Sequence, residues 1–324
     1  MKSQEEKAQA LLDAAIEAEE AGQTKKALRL YHRAATIYGN PNIPLFRLAS
    51  LLYDEGEWQE ALKAARQVIK GWPDSDITYS LIGECYIEQG QLRRAERAFR
   101  QSLAIKANPG TWVFLSYVLM RLDRDDESMD CLRAALKLDP NYEEAHYNLG
   151  YEYRLRKKYA RAEKHLRRAI EIDPRYALAY AELGCVLLHN KNKTKDASRL
   201  LRKSVRLDPN NRWSRAYLGN ALWRLRRLKA ADEQYRKLIE IWPDNSLSYW
   251  CYGGFLACES DDTSLAESYL RKAVELDPKD PAANYELGKN LLYWERKDEA
   301  IKYLKKAARL GHDKAKKLLQ DQQS

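Results

Sequence analysis

The chain has 324 residues, 45% of them apolar, with 10 prolines and 14 glycines; that is enough apolar material for a continuous core and too few loop formers for a strand-and-turn protein, so the class expected is all-α. Its five cysteines, Cys85, Cys131, Cys185, Cys251 and Cys258, are odd in number and scattered, which speaks against a disulfide framework and for a reducing, cytoplasmic setting; no apolar run approaches the ~20 residues a bilayer span needs. The net charge of +9 belongs to the middle, where residues 143–245 hold 24 Lys and Arg against 13 Asp and Glu, and that asymmetry points to an anionic partner.

Self-similarity organises the rest. The segments LDPNYEEAHYNLGY, IDPRYALAYAELGC, LDPNNRWSRAYLGN and LDPKDPAANYELGK recur every 34 or 35 residues, a period that marks a repeat architecture. In chain order the frame gives nine repeats, 8–41, 42–75, 76–108, 109–142, 143–176, 177–211, 212–245, 246–280 and 281–314, and a cap over 315–324. Each repeat reads as two antiparallel helices. The eighth position is small throughout: Ala15, Ala49, Gly83, Ser116, Gly150, Gly184, Gly219, Gly253 and Gly288. So is the twentieth, Ala in every repeat except the fourth, which has Ser128. Two helices approach closely only where their crossing lacks bulk, so these columns mark the contact inside each hairpin. Large residues fill the remainder, Leu48 to Leu287 at the seventh position and Tyr31, Phe99, Leu132, Leu166, Tyr235 and Leu304 near the twenty-fourth. Prolines 73, 140, 174, 209, 243 and 278 end the second helices, because the residue before a proline is pushed out of α geometry. Repeats six and eight carry one extra residue each, placed in the turns at 190–195 and 259–264. At the end, Ala315, Leu318 and Leu319 would cover the last hairpin, with lysines outward.

On these columns the chain resembles the tetratricopeptide repeat family over nearly its whole length. The resemblance implies one continuous domain over 1–324, a right-handed superhelical solenoid of helical hairpins, whose first helices line a concave groove through their second, fifth, ninth and twelfth to thirteenth positions. Carried over, those positions give Tyr117, Arg121, Tyr147, Tyr151, Arg154, Trp213, Asn220, Trp223, Arg224, Trp250 and Tyr285, with Asn148 at a sixth position. Aromatic rings interleave with arginines there, and these residue types dominate binding hot spots. The family's carboxylate clamp for acidic chaperone tails is missing, since Val113, Tyr117, Leu178 and Glu182 stand where Lys, Asn and Arg are needed.

A second feature is a basic edge. The turns of repeats five to seven carry Arg156, Lys157 and Lys158, then Lys191, Lys193 and Lys195, then Arg226 and Arg227. Such turns solubilise, or they meet phosphates or an acidic protein with steep salt dependence. No phosphate loop, metal motif or nucleophile elbow is present. Cys185 and His189, one turn apart, read as a small apolar residue and a groove-lining ring rather than a thiolate–imidazole pair or half a metal site; Cys251 and Cys258 read as buried packing. The function expected is a non-catalytic scaffold that grips an extended or helical, acidic segment of a protein or peptide. The alternatives are a basic solenoid for single-stranded nucleic acid and a regulatory module of a separate catalytic chain. No cofactor, metal or membrane is expected.

Overall fold

The computed structural model describes residues 4–260 and 262–322. Nineteen α-helices and no strand occur among them. The first helices of the nine repeats are α1 (Gln4–Glu20), α3 (Asn42–Asp54), α5 (Asp76–Glu88), α7 (Pro109–Arg121), α9 (Glu143–Leu155), α11 (Ala177–Leu188), α13 (Arg212–Arg224), α15 (Ser246–Glu259) and α17 (Pro281–Tyr293). Their second helices are α2 (Thr24–Ile37), α4 (Trp58–Gly71), α6 (Leu92–Ile105), α8 (Asp125–Leu138), α10 (Tyr159–Ile172), α12 (Thr194–Leu207), α14 (Leu228–Ile241), α16 (Thr263–Leu276) and α18 (Lys297–Arg309). A last helix, α19 (Asp313–Asp321), follows. The chain forms two compact units, one ending at Glu152 and the other beginning at Tyr153, with the boundary inside α9.

Within each unit the small columns do what their spacing requires. A Cβ placed on Gly184 would lie 2.5 Å from Leu201 Cγ, and one on Gly83 or Gly219 would lie 2.6 Å from the ring of Phe99 or Tyr235. Gly253 and Gly288 meet Leu270 and Leu304 in the same way at 2.8 Å. The eighth position of a first helix is therefore the socket for the large residue at about position 24 of the second, and those knobs are wholly buried. The extra residue of repeat six is absorbed by a single 3₁₀ turn, Lys191–Lys193, before α12.

The turn between the helices of a hairpin also repeats. Gly22, Gly56 and Gly90 have φ between 68° and 79°, and the same place in later repeats is held by Asp123, Lys157, Arg226 and Glu295 at 56° to 62°. The next residue donates its N–H five residues back, as in Lys158 to Tyr153 at 2.8 Å and Arg227 to Leu222 at 2.9 Å. This is a left-handed helix C-terminus, which satisfies carbonyls the helix leaves open. A side chain other than glycine there costs roughly 1 kcal/mol of backbone strain.

Consecutive first helices touch one another, α3 with α5 and α5 with α7 in the N-terminal unit, and α11 through α17 in the C-terminal one. The second helices α2 and α4, and α12 and α14, are instead parted by troughs. The first helices thus form the inner layer of each stack. At the C-terminus Ala315 is fully buried against Leu304 and Ala307, with Leu318 and Leu319 packed around them, so α19 caps repeat nine; residues 323 and 324 of the expected cap lie outside the described residues.

Candidate functional site

In the N-terminal unit, Tyr117, Tyr147, Asn148 and Tyr151 line one cavity of about 230 Å³, together with Met120, Leu132 and the buried carboxylate Glu152. The first helices α7 and α9 bring them together because they sit one or two turns apart on adjacent rods. Tyr117 is 38% exposed. Arg121 donates from Nη1 to its hydroxyl at 2.7 Å and lies 5.7 Å from its ring centroid, so the guanidinium extends the ring from its hydroxyl end and adds a positive charge beside it.

In the C-terminal unit, Trp213, Asn220, Trp223 and Trp250 converge on a second cavity of about 150 Å³, closed by Tyr217, Cys251, Glu286 and Lys289. Trp213 leaves 47% of its surface open. The amide oxygen of Asn220 is buried without a hydrogen-bond partner, an acceptor left available on the cavity wall. Trp223 is held more firmly: its Nε1 donates to Glu259 at 2.7 Å and its ring meets Phe255 edge-on. Trp250 packs against the apolar cluster of Leu287 and Leu291. Both rings help to seat one hairpin on the next. Tyr285 stacks on His312 at 4.2 Å and lies beneath Lys289.

The two remaining arginines are anchored. Arg154 is ion-paired with Glu182 of the next first helix, and Glu182 is 7% exposed. Burial pushes the Glu182 carboxyl up against the opposing pull of the guanidinium, which itself stays charged. Arg224 donates to the Leu188 carbonyl at 2.5 Å. Beside this pair, burial raises the Cys185 thiol and the Tyr217 phenol, which are hydrogen-bonded to each other. His189 stacks on Tyr159 at 4.2 Å; burial, then the charges of Arg154, Arg224 and Lys314, hold its pKa down. The thiol and imidazole are therefore partnered with other groups and make no thiolate–imidazole couple. Cys258 departs from expectation, since it is exposed while Cys85, Cys131 and Cys185 are buried and Cys251 is intermediate; it stands in the last turn of α15, where the helix leaves its core contacts.

The basic edge divides. Lys193 is ion-paired with Glu163 and Arg226 with Glu259, each at 2.7 Å. Lys157, Lys158, Lys195 and Arg227 are exposed and Arg156 is half-exposed, while the side chain of Lys191 lies outside the described residues. Lys195 and Arg227 come together with second-helix cations around one trough. Among the described residues no group of three or more His, Cys, Asp or Glu is placed to hold a metal ion, and no helix is long and apolar enough to cross a membrane.

Sequence positions missed Glu182, Tyr217, Glu286 and Lys289. Glu182, Tyr217 and Glu286 share the sixth position with Asn148 and Lys289 stands at the ninth, so the columns were there to read. What they did not show is the partners, Arg154 and Cys185 on neighbouring helices for the first two and each other within α17 for the last pair.

Residues 2–192 match the family model described as the Cilia and flagella-associated protein 70 C-terminal domain, and residues 190–246 and 256–315 match the tetratricopeptide repeat model. Among curated proteins, Protein CTR9 homolog of Arabidopsis thaliana is 24% identical over 272 residues, covering 78% of this chain and 24% of the relative. Human Protein O-mannosyl-transferase TMTC3 is 25% identical over 274 residues, covering 82% of this chain and 29% of its own length. The chain thus spans less than a third of these relatives. Among solved structures, the APC/C hetero-tetramer Cut9–Hcn1 superposes with a TM-score of 0.66 at 16% identity, over 87% of this chain and 55% of that one, a likeness of fold.

Proposed function

The chain belongs to the tetratricopeptide repeat family, its residues 2–192 to the family of the Cilia and flagella-associated protein 70 C-terminal domain, and from that premise we propose that it is a non-catalytic scaffold whose inner helical faces grip segments of a partner protein. The relatives and the fold support a protein-interaction role at the coarser level. The observation that carries the finer reading is the convergence, in each unit, of aromatic rings on a cavity of the first-helix layer, one of them exposed and the others half-buried: Tyr117 with Tyr147 and Tyr151, and Trp213 with Trp223 and Trp250. Flat rings in a preformed cleft offer large contact area at little entropic cost. Arg121 beside the N-terminal cavity favours an acidic segment, extended or helical, whereas Lys289 at the C-terminal cavity is already paired with Glu286.

Affinity capture with quantitative mass spectrometry tests this. The double variant Tyr117→Ala, Trp213→Ala removes one open ring from each unit and leaves the knobs of the core in place. It should retain helical circular dichroism and lose the specific captured partner; unchanged capture rejects the inner face as the binding surface.

A further inference from the structure

Between the second helices α12 and α14, over the back of α13, runs an open trough of about 920 Å³. Its floor is apolar, with Val205, Leu218 and Leu222, and its lining contains no aromatic residue. Around that floor stand Lys195, Arg199, Arg202, Arg206, Arg227 and Lys237, against one acid, Glu233. Glu233 is already held by Lys237 at 2.7 Å, and Arg199 by Asp196 at 3.1 Å. Arg202, Arg206, Arg227 and Lys195 have no ion pair among the described residues.

At the base of the trough lies Arg215, only 7% exposed. Its Nη1 reaches Gln234 at 3.4 Å and its Nη2 the Pro209 carbonyl at 3.3 Å, both long contacts. Its Nε–H is buried and has no partner. Burial holds its pKa down, with only the more distant Glu240 opposing. A buried guanidinium without a carboxylate is costly, and packing does not require it. The same column in other repeats is Leu45, Tyr180, Tyr249 and Asn284; Tyr180 and Asn284 reach the corresponding proline carbonyl at 3.3 and 3.1 Å with neutral side chains. The equivalent trough between α2 and α4, of about 820 Å³, has Leu45 in place of this arginine and a smaller cationic share. The concentration of positive charge is therefore not a by-product of stacking hairpins.

We propose that the α12–α14 trough is a second docking site, on the face opposite the inner layer, for an acidic amphipathic segment of a partner polypeptide, with one carboxylate seated on the unpartnered Nε–H edge of Arg215. Leucine-type side chains of that segment occupy the apolar floor while its Asp and Glu meet the flanking arginines, whose planar donors suit carboxylates. At 1.5 Å per residue the 14-residue walls run about 21 Å, room for roughly four turns of helix. Single-stranded nucleic acid fits less well, because it requires rings on which bases stack and the trough offers leucines.

Fluorescence anisotropy on the full chain tests the site, with a labelled peptide carrying Leu on one helical face and Glu elsewhere, and a matching Leu/Lys peptide as control. The Leu/Glu peptide should bind and weaken about tenfold or more between low and moderate salt, as exposed charge pairs are screened. Arg202→Glu with Arg206→Glu, and separately Arg215→Gln, should each lower affinity about tenfold or more, since both remove charge complementarity at the interface. The Arg202/Arg206 substitutions should cause the same fold loss in a Trp213→Ala background, which separates this site from the inner face. Should Arg215→Gln lose its helical signal, the surface pair decides alone. Equal binding by wild type and the Arg202/Arg206 variant overturns the proposal. So does equal binding of the Leu/Lys peptide, absence of the arginine effect in the Trp213→Ala background, or tighter binding of a single-stranded RNA that fails on the same arginine variants.

Discussion

Substituting Gly184 by alanine should destabilise the C-terminal unit, and the structure says by how much. The new methyl would sit 2.5, 2.8 and 3.2 Å from three side-chain carbons of Leu201. Leu201 is fully buried and has no room to withdraw. Overpacking of this kind costs about 1–3 kcal/mol, while alanine in place of glycine inside a helix returns about 0.5–1 kcal/mol. The net loss expected is about 1 kcal/mol, with ~2.5 kcal/mol as its upper end. Gly254 on α15 is the control: a methyl there first meets Glu286 Oε2 at 3.5 Å, an ordinary contact, so only the helix gain of about 0.5–1 kcal/mol applies. Because a long repeat array need not unfold in one step, urea melts should be joined with native-state hydrogen exchange on the amides of α11 and α12. Gly184→Ala should lower that protection and Gly254→Ala should not. Adding Leu201→Ala should make Gly184→Ala almost neutral, the signature of a shared contact. The same sign of effect for both glycines, or no coupling to Leu201, would refute the reasoning.

Other outcomes follow from individual groups. Burial raises the Glu84 carboxyl to about 7, with Ser80 partly opposing. An acid whose folded pKa lies above its unfolded value stabilises below the latter and loses that contribution as pH climbs through about 7; Glu84→Gln should therefore be nearly neutral at acid pH and stabilising at alkaline pH by as much as ~3 kcal/mol, checked by urea melts across pH, with a pH-independent difference contradicting it. Arg154→Met strands the Glu182 carboxylate and should cost about 3 kcal/mol near neutral pH; the loss should shrink as pH falls and Glu182 takes up a proton. Lys157→Gly relieves a left-handed backbone and should hold the melting temperature or raise it slightly, whereas Lys157→Val should lower it. Removing α19 uncovers Leu304 and Ala307, so a chain ending before 313 should show faster exchange in α17 and α18 while distant helices keep their protection.

What could be read from the sequence was whatever repeats every 34 residues: the small eighth and twentieth columns, the large residues near the twenty-fourth and the proline stops, while the seating of Leu201 on Gly184 and of Tyr235 on Gly219 came from the structure. The candidate site was legible as positions, since Tyr117 with Tyr151 and Trp213 with Trp250 do line common cavities. It was not legible as partnerships. Arg154 with Glu182 and Trp223 with Glu259 are joined across 28 and 36 residues, and no periodic column says that an arginine will find a carboxylate on the neighbouring rod. Arg215 was hidden for the converse reason: its interest lies in a missing partner, which only burial and geometry expose. The turn glycines were overlooked because four repeats place Asp, Lys, Arg or Glu in the same left-handed conformation, which blurs the column.

The central claim is that partners are held on the first-helix layer. A photoreactive phenylalanine analogue at position 213, compared with one at position 302 on the exposed side of α18, tests it most directly once a captured partner has been purified. Crosslinking at 213, competed by unlabelled partner and absent at 302, is the result predicted. Crosslinking at 302 with none at 213 would contradict the account.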